Sequence, residues 1–335
     1  MRSKEKMMIL AGDIGGTKTN LALYSVVEGQ LEMQVQHQFA SRDFSSLTDV
    51  IIAFEAKTDM PLVEAACFGI AGPVIKGRCR TTNLPWEITT ADVQKHLNTT
   101  QVRLLNDLES TAYGMLYLGE DEFIHLNPTG RPTSANRAVI AAGTGLGEAM
   151  LYYDGSDYHP IASEGGHCDF APTTAQQDEL LRWMRNRYPG HVSYERILSG
   201  PGIYTLYEFL AQSGFAPQPR SMLQIEVGKD RSAMVSECAL KEGDPLCMET
   251  LRLFAEIYGA EAGNLALKSM SLGGVYIGGG IAPKILPIIR NNHFMRGFTG
   301  KGRFEEMLRG MEVKVSLNQE TALLGAVHFA KDKLL

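Results

Sequence analysis

Several things are scarce in this chain, and each absence narrows what it does. No stretch approaches the ~20 consecutive apolar residues that a membrane-spanning helix requires, which argues against a helical anchor. The cysteines, Cys67, Cys79, Cys168, Cys238 and Cys247, are odd in number and scattered, and no two form a Cys-x-x-Cys pair. That pattern suits free thiols in a reducing compartment and fits neither a disulfide framework nor the usual zinc spacings. Positive charge is not in excess: the net charge of −6 suggests no surface for nucleic acid. There is no low-complexity segment and no clear linker. The charged residues 1–6 lead into an apolar run at 7–10 that is too short for a secretory signal. Together these absences predict a soluble cytoplasmic protein with neither a membrane nor a nucleic acid as partner.

What remains is globular. Of 335 residues, 44% are apolar, enough core for two ordinary domains or one large α/β unit. Two glycine–threonine turns stand out: Gly12-Asp13-Ile14-Gly15-Gly16-Thr17-Lys18-Thr19 and Ala142-Gly143-Thr144-Gly145-Leu146-Gly147. Each lies between apolar runs that read as strands, 8–11 with 20–25 and 138–141 with 148–153. The tip of such a hairpin exposes backbone N–H groups, and glycine lets them approach phosphate oxygens closely. Two tips suggest two clamps on one polyphosphate, from two halves of a duplicated architecture. Around them the pattern predicts a strand at 31–40, a helix at 46–58 capped by Ser45 or Ser46, a strand at 65–70, a helix at 91–97 and a strand at 101–105. This is a mixed α/β sheet. The second half continues with an amphipathic helix at 178–187, a loop at 213–220 and a long helix at 252–269. Small residues on that helix (Ala255, Gly259, Ala262, Gly263, Ala266) suit close packing, inside the subunit in preference to a dimer interface. A strand at 274–277 then leads into Gly278-Gly279-Gly280.

Several residues are candidates for chemistry, each with a plainer alternative. Asp13 ends a strand and suits Mg²⁺ held through water, with Gly16 and Thr17 as donors to phosphate; the plain alternative is an ordinary glycine-rich hairpin. It is not a Walker A loop, because Thr17 separates Gly16 from Lys18 and a strand follows. Gly278-Gly279-Gly280 suits an adenine packed on backbone, or equally a tight strand-to-helix turn. Asp107 in Asn106-Asp107 is a candidate general base at a strand end, whereas an N-cap or Asx-turn needs the same residue types. Residues 163–170 place Glu164, His167, Cys168 and Asp169 around two glycines, a set better suited to sugar hydroxyls than to zinc. Glu195 offers a further acceptor, or is a surface residue on a helix.

In combination and order, the stretches GDIGGTKTNLALY, FGIAGPV, TNLPW, LLNDLESTAYG, AGTGLG, EGGHCDFAP, HVSYERILSGPG, GNLALK, GGVYIGGGIAP and KGRFEEML resemble the bacterial glucokinase family of the hexokinase/actin/Hsp70 superfamily. The resemblance implies an α/β, two-domain, actin-like ATPase (ribonuclease H-like) fold with mixed sheets and an interdomain cleft. Residues 1–117 plus 318–335 would form the small domain and 118–317 the large one. It implies ATP-dependent phosphorylation of D-glucose at the 6-hydroxyl, as in glycolysis, by a homodimer. By motif, Asp107 would be the catalytic base, and Asn83, Asn106, Asp107, Glu164, His167 and Glu195 would hold glucose. Gly12, Asp13, Ile14, Gly15, Gly16, Thr17, Thr144, Gly145 and Gly279 would contact ATP, with Asp13 on Mg²⁺ through water.

Two departures qualify the likeness. Lys18-Thr19 is nearer to the loop of the ROK sugar kinases, yet the ROK zinc pattern after Gly-His, Cys-x-Cys-Gly-x-x-Gly-Cys, is absent. Cys168 stands where an apolar residue is expected. A buried, neutral thiol is the plain expectation there, and a thiol lining the sugar cleft is the sharper one. The rival functions are a kinase for another hexose and a glucose-binding regulator. The retained Asp107, and the lack of room for a DNA-binding motif ahead of Met7, argue against the regulator.

Overall fold

The computed structural model describes residues 6–81, 83–128, 130–131, 133–224 and 228–335. Thr82 of the TNLPW stretch and residues 1–5 of the expected small domain lie outside the described residues. The chain opens with an antiparallel meander of β1 (Met7–Ile14), β2 (Lys18–Val27) and β3 (Gln30–Ala40). The apolar run of β1 makes it a central strand buried almost throughout, while the polar β3 forms the sheet edge. Helix α1 (Leu47–Thr58) starts where Ser46 Oγ accepts the Asp49 N–H at 3.1 Å, and it buries Leu47, Val50, Ile51 and Phe54. Strand β4 (Ala65–Ile70) follows, then a small sheet of Val74–Ile75, Arg78–Arg80 and Glu87–Thr89. Helix α2 (Thr90–Leu97) and strand β5 (Val102–Asn106) come next. The first sheet has the order β3-β2-β1-β4-β5, with β4 parallel to β1 and β5 parallel to β4.

Strand β5 runs directly into α3 (Asp107–Gly114). After an edge strand β6 (Phe123–His125), a second meander forms from β7 (Arg137–Ala142), β8 (Leu146–Tyr153) and β9 (Tyr158–Ser163). The helices α4 (Ala175–Arg187), α5 (Gly200–Gln212), α6 (Arg231–Glu237) and α7 (Pro245–Ser269) separate it from β10 (Val275–Gly278). Helix α8 (Phe294–Thr299), strand β11 (Val313–Ser316) and helix α9 (Thr321–Lys333) complete the chain. The second sheet has the order β9-β8-β7-β10-β11-β6, with β10 parallel to β7 and β11 parallel to β10. Both sheets therefore contain a three-stranded meander continued by two parallel strands, and the second adds the antiparallel edge strand β6. The duplication suggested by the two turns is a duplication of sheet topology, and the mixed α/β architecture is that of the actin-like fold.

The last helix crosses back to the first sheet. Leu323, Ala326, Val327 and Ala330 of α9 pack with Ile9, Ala11, Ala65, Cys67 and Leu105. Ala112 and Tyr113 of α3 pack with Val139, Ala149 and Leu151 of the second sheet, and Ser110 Oγ donates to Ala322 O at 2.7 Å. Thus α3, which begins at Asp107, lies at the seam between the two halves. Helix α7 starts at Pro245, well before the expected residue 252. The Asp244 carboxylate accepts the N–H groups of Leu246 and Cys247, and Pro245 fits the first turn. The stripe of small residues faces inward, with Gly259 and Gly263 against the backbone of Phe294 and Phe298 in α8. Among the described residues no helix is long and apolar enough to cross a membrane.

Candidate active site

The β1–β2 turn is held from one side. The Gly15 N–H closes it on Lys18 O at 2.9 Å, and Ser41 at the end of β3 ties it down through Oγ to Gly15 O at 2.7 Å and N–H to Thr17 O at 3.0 Å. Gly16 and Thr17 are left at the tip, and Asn83 stands directly against Gly16. Asn83, a sugar-site residue by the family likeness, thus borders the first turn. Asp13, at the end of β1, is opposite Asn20 of β2. Burial pushes the Asp13 carboxyl up to about 6, and the Asn20 side chain opposes the shift.

The β7–β8 turn is held from several sides. The Gly143 N–H donates to Gly145 O, and the Gly200 N–H at the start of α5 donates to Gly143 O, both at 2.8 Å. Behind the turn, Gly279 adopts a φ of +79° against Ala142, so the glycine triplet is a tight turn leaving β10 as well as a neighbour of the second hairpin. Glu195 reaches the turn from the other side: its Oε2 accepts the Leu146 N–H at 3.0 Å. A Cβ on Gly145 would lie 2.5 Å from that oxygen, so the approach of Glu195 requires glycine there.

The sugar candidates are assembled by backbone pairing. The Phe170 N–H donates to Val192 O at 2.9 Å, and the Tyr194 N–H donates to Cys168 O at 3.0 Å. This joins the segment following Gly165–His167 to that preceding Tyr194–Arg196, two short 3₁₀ turns. It brings His167 Nε2 to 3.8 Å from Glu195 Oε1. Glu195, half-buried on its 3₁₀ turn, is therefore more than a surface residue on a helix: it touches the second glycine turn and faces His167. Cys168 is exposed, which corrects the expectation of a buried thiol. The residue belongs to a surface turn, whose backbone pairing needs no apolar side chain.

Asn106 caps α3: its Oδ1 accepts the Leu108 N–H at 2.9 Å, its Nδ2 donates to Gly72 O at 3.1 Å, and Glu109 Oε2 accepts the Asn106 N–H at 2.9 Å. The plain reading of Asn106 is thus present in the structure. Asp107 follows at the helix start. Burial pushes its carboxyl up to about 6; the Leu108 N–H opposes this, and the Asp13 and Glu164 carboxylates add to it. Three carboxylates from β1, from α3 and from the loop after β9 thus share one region, flanked by both glycine turns.

Spacing concealed one cluster. Ligand atoms of Cys238, Asp244 and Cys247 lie within 4.8 Å of one another. Asp244 is the cap of α7, and burial pushes both thiols up, so the group reads as a capped helix start against neutral sulfurs.

A model of the family described as Glucokinase matches residues 10–333. A glucokinase of Nostoc punctiforme is 40% identical over 333 residues, spanning 95% of this chain and 97% of the relative. Among solved structures, a glucokinase from an Antarctic psychrotroph superposes with a TM-score of 0.82 at 30% identity, over 96% of this chain and 97% of that one. A ROK-family glucokinase from Streptomyces griseus, in complex with glucose and AMPPNP, is similar in fold, with a TM-score of 0.64 at 22% identity over 97% of this chain and 99% of that one.

Proposed function

The chain belongs to the glucokinase family, and we infer from that membership and the site's chemistry how its residues divide the work of phosphorylating D-glucose with ATP. The observation that carries the reading is the convergence of the Asp13, Asp107 and Glu164 carboxylates between two glycine-rich turns. Phosphoryl transfer depends on positioning and charge neutralisation more than on covalent chemistry. Asp107 takes the proton of the 6-hydroxyl as that oxygen attacks the γ-phosphorus. Its carboxyl, pushed up to about 6, is mostly ionised at neutral pH and remains basic enough to accept a proton. Glu164, His167 and Glu195 hydrogen-bond sugar hydroxyls, while Asn83 and Asn106 border the acceptor. The amides of Gly16, Thr17, Thr144 and Gly145 face the phosphates, and Gly279 lies on the adenosine side. Mg²⁺ bound with ATP offsets phosphate charge. Asp13 fits it as a water-mediated partner, because this carboxylate is raised by burial and opposed there by a neutral amide, not a cation.

Residues 1–117 with 318–335, and 118–317, form the two units that close on glucose. Packing of α9 on the first sheet supports this division. The protein acts in the cytoplasm at the entry to glycolysis as a homodimer, as the family likeness implies, and sedimentation velocity decides the dimer. The function is tested with a coupled assay of ADP formation against a panel of glucose, mannose, fructose and an N-acetylated amino sugar. Glucose is expected to give the highest kcat/KM. A higher value for another hexose overturns the substrate assignment, and glucose binding without turnover favours a regulator.

A further inference from the structure

Beneath the loop that carries Glu164 and His167 lie two acidic side chains with no role in the reaction as described. Glu148 of β8 is 1% exposed and Glu261 of α7 is 0% exposed. Glu148 pairs across the sheet with Ser163, the last residue of β9 before the loop. Its Oε2 lies so close under Gly165 that a Cβ there would collide with it. Glu261 reaches the other sugar segment: its Oε2 accepts from Asn264 Nδ2 at 2.8 Å, and the same Nδ2 donates to Tyr194 Oη at 3.2 Å, next to Glu195. Glu148 stands opposite Ile140 in the sheet, and Ile140 O accepts from the phenol of Tyr258 at 3.2 Å, one helical turn before Glu261, so both carboxyl groups are buried at the same contact between β8 and α7. The remaining oxygens, Glu148 Oε1 and Glu261 Oε1, are buried and receive no donor from the described residues. Two ionised carboxylates are acceptors only, so a bond between them requires a proton on one. Burying both as anions side by side carries a large desolvation and repulsion cost.

We propose that Glu148 and Glu261 hold one proton between them and that this acid–carboxylate pair is the floor of the sugar site, positioning the Glu164–His167 loop and the Glu195 turn together. The inference rests on the assignment of those two segments to glucose. The charged and titratable groups around the pair are consistent with a single proton. Lys268 Nζ is 3.7 Å from Glu261 Oε1, and Lys301 Nζ is held at 2.6 Å by Asn264 Oδ1, so cationic charge on this side favours one carboxylate. The phenol of Tyr194 faces Glu261, and that of Tyr258 is held on Ile140 O and the Ala142 N–H and faces Glu148. Burial first, then the Glu261 carboxylate, pushes Glu148 up to about 8, with Lys268 opposing. The singly protonated pair therefore persists at physiological pH and loses its shared proton just above it. A raised carboxyl pKa adds stability that is full below the ordinary carboxylate range and is lost as pH climbs towards about 8.

Glu148→Gln keeps a donor and an acceptor but removes the titration. In the wild type the KM for glucose is expected to rise about three- to tenfold above pH ~8, with kcat and the KM for ATP little changed; in Glu148→Gln the glucose KM stays flat. The melting temperature of Glu148→Gln relative to wild type should climb with pH from about 5 to about 8.5. Difference infrared spectra of wild type against Glu148→Gln at neutral pH should show the stretch of one buried, protonated carboxyl. Absence of that band, or a wild-type alkaline rise in glucose KM that Glu148→Gln retains, overturns the proposal. So does a present band with a flat wild-type glucose KM, which leaves the pair without a positioning role. Glu164→Gln separates the underlying assignment: if it leaves glucose KM unchanged while the band remains, the sugar-loop reading fails and the shared proton stands.

Discussion

The two glycine turns occupy equivalent places in two copies of one sheet topology, yet they are built differently. The first draws its surroundings from its own meander: Asp13 and Asn20 are hairpin partners, and Ser41 closes the turn from the end of β3. The second has Ala142 near the position where the first has Asp13, and its neighbours arrive from far along the chain as Glu195, Gly200 and Gly279. The cause is the segment between meander and next sheet strand. In the first half it holds α1; in the second it holds α4 to α7 and the Glu195 turn. On the proposed assignment the first copy supplies a carboxylate for a cation beside the phosphates, while the second joins its phosphate turn to a sugar ligand. Duplicated scaffolds specialise through what is inserted between their strands.

The seam between the halves is where substitution should cost most. Asp107→Asn preserves shape and hydrogen bonding but cannot take a proton. Turnover should fall by about three decades or more while glucose affinity, measured by calorimetry, is retained. In the wild type, kcat/KM for glucose should decline as pH drops through about 6, because protonation silences Asp107 in its proposed role as base. Turnover within about tenfold of wild type removes Asp107 from that role.

A paired substitution tests the contrast between the turns. Asp13→Asn should raise the Mg²⁺ concentration for half-maximal rate by about tenfold and leave the glucose KM alone. Gly145→Ala should raise the KM for both ATP and glucose by about tenfold, because the new methyl displaces Glu195 as it crowds the phosphate turn. If Gly145→Ala changes only the ATP term, Glu195 does not couple the two sites and the turns are equivalent after all.

How much was legible in the sequence follows the same division. Local signals were readable: the strand at 65–70 has the expected bounds, Ser46 caps α1, and both meanders begin where the apolar runs flank glycine. What depends on distant partners was not. Strands β6 and β11 are only a few residues long and pair only with neighbours remote in sequence, so neither shows a pattern of its own. The return of α9 to the first sheet entered only through the family likeness. The start of α7 was readable from Asp244-Pro245 but was outweighed by the small-residue stripe that follows. Glu195 had no local mark of function; the residues that give it one are Gly145, Leu146 and His167.

The smallest expected effect concerns Cys168, and it tests whether the second half's inserted loops face the cleft at all. Cys168 is exposed, whereas Cys67, Cys79, Cys238 and Cys247 are buried. Iodoacetamide on the folded protein should therefore label one site, which peptide mass spectrometry locates. Thiol reactivity requires access as well as thiolate, and the four buried thiols lack access. Cys168 follows His167 directly and shares its backbone pairing with the Glu195 turn. A carboxamidomethyl group there should crowd the sugar loop and raise the glucose KM by a few-fold, about the loss of one hydrogen bond, while the ATP term stays unchanged. Saturating glucose should slow the labelling, and Cys168→Ser should abolish it while retaining activity. Equal labelling with and without glucose would place the loop outside the sugar cleft, leaving Asp107 and the first turn to define the acceptor site with no contribution from Glu164 or His167.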